Sequence, residues 1–407
     1  MLGYCWIVAK NIAKLLLGRR LTYPPLGSMT LDSDDVQLAN QWLGRKGAGC
    51  QRESIDRFHS AFAAWNGSAH AYSFIGGRVA LSAAIYALQL KPGDEVILPG
   101  YTCFVVPNSF RFAGVDVVYS DIELETFGLN SALLEAKITP RTKAILLHHL
   151  YGLVSRDYEA TIRIARSHGL FVIEDCAHST GAEFRGAKVG NRGDVAIYSS
   201  QQSKIFNTIQ GGLVTTNDPG LAIRLKEYYD ASPELDAERI DRVLRQLIRN
   251  YYSMKHPLRW FLGDLVRWRF GEEAVENQTR EEERGIRPSG YGARLPAALA
   301  AIGLNQLTKV DRYNELRRKT AKRWDRWCDE QGYKRPLVVT DSVPVYLRYP
   351  VMAGAKRKKD EAWSYAELGV PMGVWFVSQI HPLPGRIEGC PAAEKAVSDC
   401  INLPTLL

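Results

Sequence analysis

Long apolar runs are missing from this sequence. The longest near the N-terminus, Leu2 to Ala9, falls far short of the ~20 residues a membrane-spanning helix needs. No charged segment precedes it, so it reads poorly as a signal peptide. Continued as a helix to Leu17, it sets Lys10, Asn11 and Lys14 on one side and Trp6, Ile7, Ile12, Leu15 and Leu16 elsewhere. That predicts an extension over residues 1–30 docked on the body or on a partner subunit, with attachment to a membrane surface as the alternative. Cysteine pairs are missing too. Cys5, Cys50, Cys103, Cys176, Cys328, Cys390 and Cys400 are odd in number, scattered and without a C-x-x-C, which argues against a disulfide framework or structural zinc site and for a reducing, cytoplasmic setting. Charge of one sign is not concentrated. Lys plus Arg exceed Asp plus Glu by 52 to 44, a surplus of +8 that is no dense nucleic-acid-binding stripe but suits a small anionic substrate. No G-x-G-x-x-G lies between a strand and a helix, against a nicotinamide-dependent dehydrogenase. His148-His149 lacks a carboxylate or cysteine at ligand spacing, so no metal is expected.

What is present is alternation. At 407 residues and 46% hydrophobic, the chain can bury the cores of two or three domains. Helical patterns (Val79–Leu90, a stretch ending at Ala113, Ser131–Lys137, Tyr158–His168) alternate with apolar strands (Glu95–Leu98, Val115–Tyr119, Ala144–Leu147, Leu170–Ile173, Val195–Tyr198). Such alternation predicts an α/β fold with a mostly parallel sheet covered on both faces. Beyond Asp230 the reading is Arg- and aromatic-rich helices at Ala237–Asn250 and Pro257–Phe270, then a solvated loop from Glu281 to Gly290. One long helix or two follow over Leu295–Trp327. Strands at Val343–Val351 and Val374–Val377 and helices near Asp360–Leu368 and Pro391–Cys400 predict a smaller α+β domain. Lys356-Arg357-Lys358-Lys359 reads as a solvated helix start. The expected division is 31–230 as a large α/β domain with N-terminal helices, 231–290 as a helical insertion or linker, and 291–407 as the smaller C-terminal domain.

Three segments place polar groups at strand exits, where open α/β sheets gather ligands. Ile75-Gly76-Gly77-Arg78 opens a helix, whose free amides and dipole can cradle a phosphate, although a tight turn explains a glycine pair as well. Val172-Ile173-Glu174-Asp175 delivers a carboxylate, with His178 just beyond. Asp175 could hold a cationic cofactor nitrogen or merely cap a turn. Val195 to Lys204 runs from a strand into a hydroxyl- and amide-rich loop ending in a lysine. Lys204 is either a surface charge or a Schiff-base nucleophile, and the second role needs a site that lowers its pKa.

Together these segments resemble the DegT-type nucleotide-sugar aminotransferases among the fold type I pyridoxal-phosphate enzymes. The matching stretches are KPGDEVILPGYT (Lys91–Thr102), ITPRTKAILLHHLYG (Ile138–Gly152), GLFVIEDCAHSTGAEFRGAKVGNRGDVAIYS (Gly169–Ser199) and GGLVTTND (Gly211–Asp218). The resemblance covers Tyr72 to Asn217 almost without gaps and resumes from Gly290. It implies pyridoxal 5'-phosphate as cofactor, with Lys204 bonded to it and then shuttling the proton. Asp175 would pair with the ring nitrogen and His178 sit beside the ring oxygen, while the amides of Gly77 and Arg78 and the Ser199 hydroxyl would hold the phosphate. It also implies a homodimer with an amino donor, glutamate or glutamine, and a keto-sugar acceptor. His149, Arg294 and His381 fall at substrate-side positions, and Lys188 is a further candidate for a pyrophosphate contact.

The chain departs from the family at several points. Arg78 stands where a Thr or Ser hydroxyl is usual. Cys103 replaces the aromatic residue that stacks on the ring, leaving Tyr101 or Phe104 as candidates. Tyr291-Gly292-Ala293-Arg294 lacks the Asn that reaches the neighbouring subunit's phosphate, and Gln210 replaces a usual Glu. Lys204 argues against the related dehydratases, which carry histidine there. A free cyclic ketone of the inosose type is the alternative acceptor, and a catalytically silent homologue that senses or scaffolds is the non-enzymatic alternative.

Overall fold

The computed structural model describes residues 28, 30–45, 52–255, 279–360 and 362–407. The expected N-terminal helix through Leu17 and the helix over Pro257–Phe270 lie outside them. Among the described residues, the main sheet has seven strands: β1 (His70–Phe74), β2 (Glu95–Pro99), β3 (Asp116–Ser120), β4 (Thr142–His148), β5 (Phe171–Asp175), β6 (Val195–Ser199) and β7 (Gly212–Thr216), in the order β1-β7-β6-β5-β4-β2-β3. All neighbours run parallel except β7, which is antiparallel to both β6 and β1.

The strands are nearly continuous apolar runs because helices cover both faces of the sheet. Side-chain alternation divides them. Ile97, Ile145 and Val172 join Leu134, Ala165 and Leu170 in a smaller core, while Val96, Leu98, Leu146 and Ile173 point into the main one. Parallel pairing brings the carboxyl ends of the central strands side by side, with His148 opposite Asp175 and Asp175 opposite Ile197. The strand exits therefore form one floor.

Several elements differ from their sequence reading. Ser131–Lys137 makes two 3-10 turns, Ser131–Leu133 and Glu135–Lys137, rather than an α-helix. The Asp157 carboxylate anchors the first of them through the Ser131 amide and hydroxyl. The strand expected over Val343–Val351 breaks at Pro344, where the amides of Val345 and Tyr346 donate to the Gly152 carbonyl. Pairing resumes at Tyr349–Met352 against Cys400–Leu403. Leu295–Trp327, expected as one long helix or two, forms two, Ala297–Leu307 and Val310–Gln331, in agreement with the second of those readings. Val374–Val377 is no strand, since the Trp375 amide donates to the Asn402 side chain instead of a ladder partner.

Two polar runs are less solvated than expected. Lys358 extends inward to donate to the carbonyl of Phe376, and Arg357 pairs with Glu367. In the charged stretch after Thr279, a short helix (Arg280–Glu283) carries Glu282 into the interior.

Candidate active site

Lys204 sits on the loop that leaves β6 and returns into β7. Cross-links at the loop's base hold it in a narrow shape. The Ser200 amide donates to the Gly211 carbonyl at 2.9 Å, the Thr208 amide to the Ser200 carbonyl at 2.9 Å, and the two hydroxyls lie 2.6 Å apart. The Lys204 side chain reaches a cleft of about 310 Å³ lined also by Gly77, Arg78, Cys103, Asp175, His178, Ser199 and His381. Burial pushes its pKa down to about 8, against the attraction of Cys103 and Asp175 and with help from Arg348. The environment thus lets a substantial share of the amine stand neutral near physiological pH.

Asp175 ends β5 on the cleft floor, its Oδ1 accepting the Ala177 amide at 2.9 Å. Burial raises its pKa, while that amide, Lys204 and His149 oppose the rise. His178 accepts the Tyr151 amide on Nδ1 at 3.3 Å, which leaves Nε2 to carry the proton of a neutral ring. Burial, with Lys204, His148 and Arg348 nearby, holds its pKa well below the usual histidine value. The edge of Trp375 meets this ring at 4.6 Å between centroids.

Another part of the cleft is the start of the helix Gly77–Ala87. Its internal hydrogen bonds begin with the Val79 and Ala80 amides donating to Gly76, so the preceding turn has no acceptor within the helix. β7 runs unusually close to it. A Cβ on Gly212 would lie 2.3 Å from the Gly77 nitrogen, and one on Gly77 would lie 3.3 Å from Cβ of Ser199. Glycine at position 212 lets β7 pack directly on the helix start, while Gly76, Gly77 and Ser199 line a cup at this end of the cleft. A buried amine, a carboxylate and an N-terminal cup around one cleft fit pyridoxal phosphate, which needs a partner for its aldehyde, its ring nitrogen and its phosphate.

The remaining expected residues are placed variously. Tyr101 and Phe104, the stacking candidates, do not line the cleft. Tyr101 is fully buried, its hydroxyl 2.9 Å from that of Tyr151 and its ring 4.4 Å from Phe376. Phe104 is equally buried. The aromatic walls are Trp375 and Phe376, from a segment the sequence reading took for a strand. Their hydrophobicity was visible, but nothing local showed that the chain would fold back over the lysine. Cys103 does line the cleft, on the short strand Thr102–Cys103 that pairs with Ile380–His381 and so brings His381 to the rim.

Arg294 lies in a separate cleft, paired with Glu234 at 2.8 Å and stacked 5.5 Å over Tyr229, and Lys188 packs on Trp65. His149 borders the cleft with a buried ring committed at both nitrogens. Nδ1 accepts the Ser155 amide, and Nε2 faces Glu174 at 3.4 Å. The fold also gathers His149, Glu174 and Cys176, a grouping that spacing along the chain did not show. Glu174 already accepts the Tyr158 hydroxyl and the amides of Gly190, Arg192 and Gly193, so its carboxylate is satisfied within the protein.

Comparison with known proteins gives this geometry a lineage. Residues 30–406 match the model of the DegT/DnrJ/EryC1/StrS aminotransferase family. The GDP-perosamine synthase of Caulobacter vibrioides is 44% identical over 302 residues, 74% of this chain and 69% of that protein. The L-glutamine:2-deoxy-scyllo-inosose aminotransferase of Streptomyces kanamyceticus is 33% identical over 326 residues, 78% of this chain and 67% of its own. The crystal structure of S. venezuelae DesV in complex with a ketimine intermediate superposes with a TM-score of 0.66 at 25% identity, covering 92% of this chain and 89% of the other. With its lysine, carboxylate and glycine cup set at adjoining strand exits, the chain belongs to the DegT/DnrJ/EryC1/StrS aminotransferase family, enzymes that work with pyridoxal phosphate.

Proposed function

We propose that the protein transfers an amino group from an amino acid, glutamate or glutamine, to a nucleotide-linked keto-sugar destined for a polysaccharide or a secondary metabolite. The observation that carries the acceptor class is the 44% identity to a GDP-perosamine synthase across 74% of the chain. The net charge of +8 favours a diphosphate-bearing acceptor. We propose a homodimer, on the family resemblance, and a cytoplasmic location, which the odd number and scattered placement of the cysteines in the sequence support.

The residues divide the work by position. Bound pyridoxal phosphate supplies the electron sink that lets a proton leave the carbon bearing the amino group. Lys204 would hold the cofactor through Nζ and would serve as the base that takes up, and the acid that gives back, the proton moved in the amino exchange. Its depressed pKa keeps Nζ able to act in both directions. Asp175 offers a negative charge to the ring nitrogen, and His178 presents a neutral Nε2–H towards the ring oxygen. The Gly77 and Arg78 amides and the Ser199 hydroxyl hold the phosphate. Trp375 and Phe376 exclude water from the reacting face.

The inosose relative, 33% identical, supports a second reading in which the acceptor is a free cyclic ketone. Purified protein loaded with pyridoxal phosphate, given glutamine or glutamate, and assayed against a GDP-linked 4-keto sugar and against scyllo-inosose separates the two. Turnover of the nucleotide-linked ketone alone is expected; turnover of inosose alone would replace the first reading with the second. Borohydride reduction followed by peptide mapping should place the cofactor on Lys204, and no adduct anywhere would favour a silent homologue.

A further inference from the structure

The helix start that forms the phosphate cup carries an arginine that is already neutralised from within. Arg78 follows Gly77 and lines the cleft, yet its Nη1 lies 2.6 Å from both carboxylate oxygens of Glu282. The Glu282 side chain is 3% exposed and that of Arg78 20%, so this ion pair is largely cut off from solvent. Besides Arg78, two residues hold Glu282 in place through three hydrogen bonds. The Asn108 amide donates to its carbonyl at 2.7 Å, its own amide donates to the Thr279 hydroxyl at 3.2 Å, and its Oε2 accepts the Thr279 amide at 3.1 Å. A buried carboxylate therefore stands beside a cup built for an anion. It comes from the end of the segment that separates the two blocks of family resemblance.

We propose that Glu282 is a specificity-determining residue of the phosphate cup. By neutralising Arg78 it limits the cup's affinity for phosphate groups in general, so retention of the cofactor depends on the Lys204 and Asp175 end of the cleft. Without Glu282, the helix start would lose the carboxylate that lies 2.6 Å from the Arg78 Nη1, and its surroundings would become more positive by one charge. Inorganic phosphate and phosphorylated metabolites would then compete for it. Without Arg78, Glu282 would oppose any phosphate in the cup. The inference rests on the reading that the cleft binds pyridoxal phosphate.

The test measures equilibrium binding of pyridoxal phosphate and of pyridoxal, which lacks the phosphate, to the cofactor-free protein and its variants. Glu282→Gln should bind pyridoxal phosphate tighter by on the order of tenfold and be inhibited by lower concentrations of inorganic phosphate, while its affinity for pyridoxal stays the same. Arg78→Gln should bind pyridoxal phosphate more weakly, and Arg78→Gln/Glu282→Gln should recover most of that loss. Equal changes towards both ligands in Glu282→Gln, or weaker binding of the phosphorylated one, would overturn the proposal. Should Glu282→Gln fail to fold by circular dichroism, the double variant decides: affinity no better than that of Arg78→Gln alone overturns it. A wild-type protein that binds neither vitamer would instead overturn the cofactor reading and this inference with it.

Discussion

Lys204 Nζ lies 4.7 Å from the centre of the Trp375 ring. The two residues come from distant parts of the chain, one on a loop between sheet strands and the other on the segment leading to the His381 rim. Their contact gives the amine an aromatic face while removing it from water. The ring face favours the ammonium form and burial disfavours it. Burial wins, since the pKa comes down to about 8.

The capture of pyridoxal phosphate should therefore follow a single ionisation near pH 8. Only the neutral amine attacks the aldehyde, so the rate constant should rise with pH and level off above that value. Trp375→Ala admits water to Nζ and should shift the midpoint upward, towards the ordinary lysine value of about 10.4. Rapid-mixing absorbance measurements over pH 6 to 11 read both. A wild-type midpoint near 10.4 would show that Lys204 is solvated.

Gly212→Ala should damage the cup specifically. The added Cβ would lie 2.3 Å from the Gly77 nitrogen and 2.4 Å from the Gly76 carbonyl carbon, both backbone atoms that cannot swing aside. Forcing β7 and the helix start apart should cost about 1–3 kcal/mol of stability. Binding of pyridoxal phosphate should fall more than binding of pyridoxal, because the phosphate end is the part displaced. Parallel titrations with the two vitamers check this, and equal losses would mean the strain is relieved elsewhere.

Much of this site was legible along the chain, for a physical reason. Asp175, Ser199 and Lys204 belong to strands and their immediate exits, where apolar runs and turn residues reveal position. The glycine pair at Gly76-Gly77 likewise announces its helix. Residues that arrive by long-range folding carry no such mark. Trp375 and Phe376 form the cleft wall because Asn402 takes up the Trp375 amide and prevents strand pairing there. Glu282 sits in a run of three glutamates that reads as solvated, and only the packing of Thr279 and Asn108 around it turns it inward. Arg294 is a substrate-side candidate in the sequence because of its charge, but its ion pair with Glu234 keeps it in another cleft. Local pattern specifies elements; the partners of charged side chains are settled in three dimensions.

Glu174→Gln should lower stability by about 3 kcal/mol. The buried carboxylate accepts the Tyr158 hydroxyl at 2.5 Å and the Gly190 and Arg192 amides at 2.8 Å each, with the Gly193 amide and His149 also bound. Burial raises its pKa, but His149, Tyr158 and the Gly193 amide together bring it below the ordinary value. An amide at this position would point a donor at donors. The damage should reach cofactor binding, because Glu174 precedes Asp175 on β5 and the loop 190–193 hangs from it. Urea denaturation of the two proteins at pH 7.5 measures the stability loss.

Acid should destabilise the protein through two histidines, His148 buried and His59 partly so, before most carboxylates titrate. His59 accepts the Ser73 amide on Nε2 at 2.9 Å, and burial pushes its pKa down to about 4. His148, whose Nε2 meets the Phe127 carbonyl at 2.6 Å, is also brought to about 4, mainly by burial and despite that carbonyl. In the unfolded chain both would titrate near 6.5, so between about 6.5 and 4 the unfolded state holds more protons than the folded one. Stability therefore falls as pH falls through that window, by about 2 kcal/mol per histidine at pH 5 relative to neutral pH. His59→Gln keeps an acceptor for the Ser73 amide but cannot take up a proton. Its stability should start lower at pH 7.5 and decline less steeply towards pH 5, by about one histidine's share of the slope. Urea denaturation at half-unit steps from pH 5 to 7.5 compares the two proteins, and identical slopes would mean that His59 is charged or exposed in the folded state.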